Sequence, residues 1–155
     1  MATQLYESDF YEWSLSQASL LRRMASERVN TELDLENLAE EIESMAGSDR
    51  RELVSRLQII LIHLIKLAYC FYPDPRQTWR DSVHAQRSSL DKLFDQSPSL
   101  RRLAPAMLEK AWPKALEQAE RETIDLSMDM LPAVNPFPLE RVLDFKYFPE
   151  PPMRL

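Results

Sequence analysis

Glu41 and His63 are the side chains whose types best fit acid–base chemistry, one a carboxylate beside an apolar stripe and the other an imidazole inside an apolar run. Brought within hydrogen-bond reach, they would supply a general base with a proton shuttle. Lys66 follows His63 by about one helical turn, and Arg56, His63 and Cys70 recur at intervals of seven, which on a helix aligns them along one face. Arg80 and Arg87 form a second seven-spaced pair, and their planar forks suit a carboxylate or a phosphate. Gln17 and Gln86 interrupt apolar stripes, and Asn37 stands one turn before Glu41 on the same flank. A polar group buried without a partner costs about 1–3 kcal/mol on mutational scales, so these groups are expected to pair. The expectation is a buried polar cluster of Asn37, Glu41, His63, Lys66, Arg80, Gln86 and Arg87, in which Glu41 meets His63, Lys66 or Arg87. Its first reading is a device that fixes helix register, since buried charges are usually paired for structural reasons, and no catalytic residue is assigned.

Other chemistries are poorly supplied. Of the two histidines, His63 and His84, only His84 lies three residues after a carboxylate, Asp81. Di-iron bundles need two Glu-x-x-His units with further carboxylates, so no metal ligand set and no cofactor is expected. Cys70 has no CxxC partner and falls in an apolar run, which makes it a core thiol, and a single cysteine excludes a disulfide scaffold. Gly47 is the only glycine, so neither a GxGxxG nor a P-loop phosphate cradle exists.

The elements that must position these residues are helices. Glycine scarcity removes the tight positive-φ turns of an all-β fold, and residues 1–72 contain no proline. Tyr6, Phe10, Trp13, Gln17, Leu20, Leu21 and Met24 form one helical stripe, with Asp9 as its cap and Glu12 as the returning half of a capping box. A second helix starts after Asp34 and turns Leu35, Leu38, Ala39, Ile42 and Met45 inward, with Gly47 as its natural stop. A lone glycine costs a helix only about 1 kcal/mol relative to alanine, so continuity into the third helix is the alternative. That third helix, about Asp49 to Phe71, is apolar nearly all round and therefore central, or buried by a partner chain. A fourth helix carries Trp79, Val83, Gln86, Leu90, Leu93 and Phe94 on one stripe. A fifth, Leu100 to about Thr123, buries Leu108, Trp112, Ala115 and Ala119, with Pro105 breaking it near its start and Pro113 kinking or splitting it. From Leu126 the chain is proline-rich, with a short candidate helix at Leu139–Leu143. Phe137, Phe145, Tyr147 and Phe148 make it too aromatic for a disordered tail.

Charge is uneven. Residues 1–50 carry 4 basic against 11 acidic side chains, 51–103 carry 9 against 5, and 104–155 carry 6 against 9, within a formal net charge of −6. Mutual neutralisation of the segments explains this pattern. Nucleic-acid binding through Arg76, Arg80, Arg87, Arg101 and Arg102 is disfavoured, because such domains show a stronger basic excess. The apolar run around His63 is shorter than the roughly 20 residues of a membrane span and carries Lys66, so no membrane is expected. The first 20 residues lack a basic n-region and a continuous apolar stretch, which leaves a cytoplasmic location.

Several segments together resemble an uncharacterised bacterial family, the domain of unknown function 29 family. They are DFYEW at Asp9–Trp13, DLENLAEEIE at Asp34–Glu43, His63 with Lys66, Trp79-Arg80 followed by Gln86-Arg87, SPSL at Ser97–Leu100 and LERVLD at Leu139–Asp144. Leu67 stands where that family often has a tryptophan. The resemblance implies an all-helical fold and no established activity. The expected architecture is an all-α, irregular bundle of about five helices around a central apolar helix at about 49–71, closed by an extended proline-rich C-terminal strap at 126–155. It is expected as one domain over 1–155, with core helices at about 9–125. The function expected is that of a non-catalytic helical interaction module, self-associating as a homo-oligomer or bound to a protein partner. The alternatives are a nucleic-acid-associated factor using 76–102 and a small acid–base enzyme at Glu41 and His63.

Overall fold

The computed structural model describes residues 2–73, 75–123, 126 and 130–152. The fold is all-helical: α1 (Ala2–Ser8), α2 (Phe10–Ser26), α3 (Leu35–Tyr69), α4 (Arg76–Gln96), α5 (Leu100–Glu122) and α6 (Leu139–Leu143). The chain divides into two compact units, residues 1–52 with 92–102, and residues 53–91 with 103–155.

In the first unit the expected N-terminal helix is interrupted at Asp9, which adopts an extended conformation (φ −159°) and separates α1 from α2. Its carboxylate accepts the Glu12 N–H at 2.9 Å, as an N-cap should. The returning half of the capping box is absent because the Asp9 N–H already donates to the Leu5 carbonyl at 2.8 Å. Asp9 instead reaches the start of α5, accepting from the Ser99 N–H at 2.7 Å and from the Ser99 hydroxyl at 2.8 Å. Ser97 Oγ in turn accepts the Tyr11 N–H at 2.9 Å, a buried bond across 86 residues. Two helix N-termini thereby satisfy each other's orphan donors. Tyr6, Phe10 and Trp13 close over the break with ring centroids 4.9–5.9 Å apart.

The expected second and third helices are one helix, α3, 35 residues long. Its inward stripe, Leu35, Ala39, Ile42, Ala46, Asp49, Leu53, Leu57, Ile60, Leu64 and Leu67, is built from spacings of three and four and passes Gly47 without a break. Leu38 and Met45, expected inward, are 38% and 42% exposed, because the small residues Ala39 and Ala46 take the buried face.

In the second unit Leu53, Leu57, Ile60, Leu61, Leu64, Ile65 and Leu67 have no exposure, which establishes this half of α3 as the apolar centre. Leu67 thus fills its site as an aliphatic core residue. Arg76 closes the end of α3, donating to the Leu67 and Cys70 carbonyls that the last turn leaves without helical partners. Leu108, Trp112, Ala115 and Ala119 of α5 are buried as their spacing required. Neither proline divides α5: Pro105 and Pro113 lie inside it on the exposed face, where each removes one N–H and its ring meets solvent. After α5, Leu126, Leu131, Phe137 and Val142 are buried. The Trp112 indole donates to the Ala133 carbonyl at 3.1 Å and packs edge-on against Phe137. His84 of α4 meets Phe145 in the same way. Positions 127–129 and 153–155 of the expected strap lie outside the described residues.

Candidate functional site

The residues expected in one buried cluster separate into three settings. Asn37 and Glu41 are exposed, not buried. Asn37 belongs to the start of α3, where its amide donates to Asp34 at 2.6 Å and its N–H at 3.4 Å. Glu41 and His63 were expected on separate helices packed face to face. With α3 continuous they stand on one helix, 22 residues apart in sequence, rather than on two helices facing each other.

The second setting is built on Lys66. Its stem lies in the apolar centre, the residue is 8% exposed, and its ammonium reaches Glu122 at the end of α5 at 2.7 Å. The Trp79 ring centroid is 5.9 Å from the same nitrogen. Gln118 donates to Glu122 at 2.8 Å and accepts from Gln58 at 3.0 Å, so the carboxylate and two amides form a chain from α3 to α5. Burial works against ionising Glu122, but the hydrogen bonds from Lys66 and Gln118 prevail and hold its carboxyl below the ordinary value. His63 stands beside this pair. Burial first, and the Lys66 charge second, push its imidazole down to about 4 against the pull of Glu122, so it is neutral at pH 7. Its Nδ1 is buried without a hydrogen-bond partner.

The third setting is built on Arg87, 1% exposed and the largest fully buried side chain. Nε donates to the Val142 carbonyl at 2.7 Å and Nη2 to the Arg141 carbonyl at 3.0 Å, capping the C-terminal end of α6 where the helix dipole is negative. Burial depresses its guanidinium to about 10, although Asp144 and Tyr147 oppose the shift. The Phe148 ring lies 5.1 Å from Arg87 Cζ and 6.0 Å from Arg80 Cζ. Gln86 accepts from Arg56 at 2.9 Å, bridging α4 to α3.

Glu122 and Gln118 were not singled out by sequence reasoning, and Phe148 was singled out only as one of the aromatics of the C-terminal segment. Glu122 had a usable signal, because it ends the α5 stripe that includes Ala115 and Ala119. Asp49 was also missed: it falls on the inward stripe of α3 with Oδ2 unpartnered, and burial followed by repulsion from Glu52 raises its pKa. Its place in the 3–4 spacing was visible once the helix was taken as continuous.

Among the described residues no three of His, Cys, Asp and Glu gather closely enough to hold a metal ion, and no helix is long and apolar enough to cross a membrane. A search of the curated proteins returns no match. Among solved structures, the chain is similar to an α-helical protein of unknown function from Rhodospirillum rubrum. The TM-score is 0.76 at 28% sequence identity, over 91% of this chain and 90% of that one. The model of the family described as Domain of unknown function DUF29 matches residues 5–148, and the chain belongs to that family.

Proposed function

We propose that the protein is a non-catalytic helical interaction module of the bacterial cytoplasm that self-associates through the N-terminal half of α3. One observation carries the reading: Leu38 and Met45 stand open two turns apart on one face of α3, with Glu41 between them. An apolar pair rimmed by carboxylates on a long, well-formed helix suits a helical partner surface of the same kind. The commitment of Lys66 to Glu122 and of Arg87 to α6 supports a structural role for the buried charges. A buried, unbridged Cys70 is compatible with a reducing compartment.

The nucleic-acid reading loses two of its five arginines, because Arg76 and Arg87 are buried and cap helices. The acid–base reading loses its base, because the carboxylate beside His63 is Glu122 and not Glu41. Light scattering across a micromolar concentration series tests self-association in the full chain. The wild type is expected to assemble, and more strongly as salt screens the acidic N-terminal segment. Leu38→Glu and Met45→Glu are expected to be monomeric with unchanged circular dichroism. A monomeric wild type at every concentration overturns the reading.

A further inference from the structure

Three arginines punctuate α4, at positions 76, 80 and 87, and among the described residues none makes an ion pair with a carboxylate. Arg76 and Arg87 are held by carbonyls at helix C-termini, and each keeps one buried nitrogen without a partner, Nε of Arg76 and Nη1 of Arg87. Arg80 is half-buried, and its guanidinium lies against the Phe148 ring. Asp144 is close enough to influence Arg87 electrostatically, while Arg76 and Arg80 repel each other. Carbonyls and a phenyl face are weaker partners for a guanidinium than an oxyanion accepting charge-assisted hydrogen bonds.

The position of Phe148 gives this surplus of positive charge a location. Residues seven apart on a helix share a face, and the Arg80 and Arg87 guanidiniums both lie within 6.0 Å of one ring centroid, so a single side chain contacts both forks. The Nε–Nη2 edge of Arg87 is fixed on α6, which holds this fork rigidly and leaves Nη1 over. Phe148 itself follows α6 in a stretch without regular secondary structure, so moving it breaks no helix. We propose that Arg80 and Arg87 form a binding site for a small phosphate- or carboxylate-bearing molecule, and that Phe148 is a displaceable plug in that site. Arg87 is the preorganised donor and Arg80 the adjustable one. Neither role depends on self-association through α3.

Calorimetric titration of the full chain with inorganic phosphate, and separately with succinate, tests this at ionic strength held constant with sodium chloride. Removing the plug in Phe148→Ala is expected to tighten binding of at least one oxyanion by about tenfold over wild type. Adding Arg80→Gln to that variant is expected to abolish the gain. A response to phosphate alone assigns a phosphoryl ligand, and a response to succinate alone a carboxylate ligand. Should Phe148→Ala fail to fold, Phe148→Leu carries the same test, since it removes the aromatic face that holds both guanidiniums. Absence of saturable binding to the unplugged chain, binding insensitive to Arg80→Gln, or tighter binding by wild type than by the unplugged chain each overturns the proposal.

Discussion

His63 shows how a single residue reports its surroundings. Its imidazole titrates at about 4 in the folded chain against 6.5 ordinarily, because burial and the Lys66 ammonium disfavour the cation. Between those values the unfolded chain binds the proton that the folded chain refuses, so stability rises with pH across the window and falls as pH drops from 6.5 towards 4. Urea unfolding from pH 7 to pH 4 is expected to show that loss in wild type and a shallower slope in His63→Gln. Parallel slopes would mean that His63 is open to solvent. The presence of polar residues on buried stripes was legible in the sequence at His63, Lys66, Gln86 and Arg87, since apolar spacing alone aims them inward. Their partners were less legible. Glu122 is 56 residues from Lys66, and although it continues the stripe through Ala115 and Ala119, nothing local names Lys66 as its partner, so tertiary packing selects the pair. Arg87 was expected to meet a carboxylate and instead meets two backbone carbonyls, which carry no side-chain signature at all.

At the scale of elements, the sequence misleads where size outweighs spacing. Reading Leu38 and Met45 as inward favours the largest apolar residues, whereas the buried line runs through Ala39, Ala46 and Gly47. That line keeps three–four spacing across the glycine, so Gly47 is an interior helical position rather than a stop. Gly47→Ala is therefore expected to stabilise the chain by about 1 kcal/mol, the helix-propensity difference between the two residues. The added Cβ would meet Arg51 Nη1 at 3.2 Å and Arg50 Nη2 at 3.9 Å, each the far end of an exposed and flexible side chain. A lower melting temperature in Gly47→Ala would indicate a turn at that point. The C-terminal segment is the other element that spacing alone could not place. Its role follows from composition, because Leu131, Phe137 and Val142 are buried and Arg87 depends on the carbonyls at 141 and 142. Burial of such side chains contributes about 1.5–3 kcal/mol each, and hydrogen bonds to a charged group about 1.5–3 kcal/mol each. Truncation after Pro132 keeps Leu131 but removes Phe137, Val142 and both carbonyl acceptors of Arg87, and against a total of about 5–15 kcal/mol it should leave a chain without a cooperative thermal transition. A truncated chain that melts at the wild-type temperature would show that the segment is not docked.

For the whole molecule the open quantity is cooperativity. The chain passes between its two compact units at residues 52–53, 91–92 and 102–103, and each passage lies inside a helix, in α3, α4 and α5 respectively. Linkers between independent domains are exposed, flexible and rich in proline, glycine or polar residues, and none of these three passages contains proline or glycine. Unfolding one unit alone would have to end three helices in mid-course and expose hydrogen-bonded turns at each cut. Helix formation is cooperative, with a costly nucleus and propagation along the chain, so ends of this kind do not persist as stable boundaries. The chain is accordingly expected to unfold as one domain despite its two cores. Differential scanning calorimetry should give one peak whose calorimetric and van't Hoff enthalpies agree. Circular dichroism and Trp112 fluorescence, followed in a variant with Trp13 and Trp79 replaced by phenylalanine, should trace the same midpoint. Trp112 reports on the second unit alone, so a fluorescence midpoint displaced from the helical one, or a calorimetric enthalpy well above the van't Hoff value, would show that the units unfold separately and that their shared helices break.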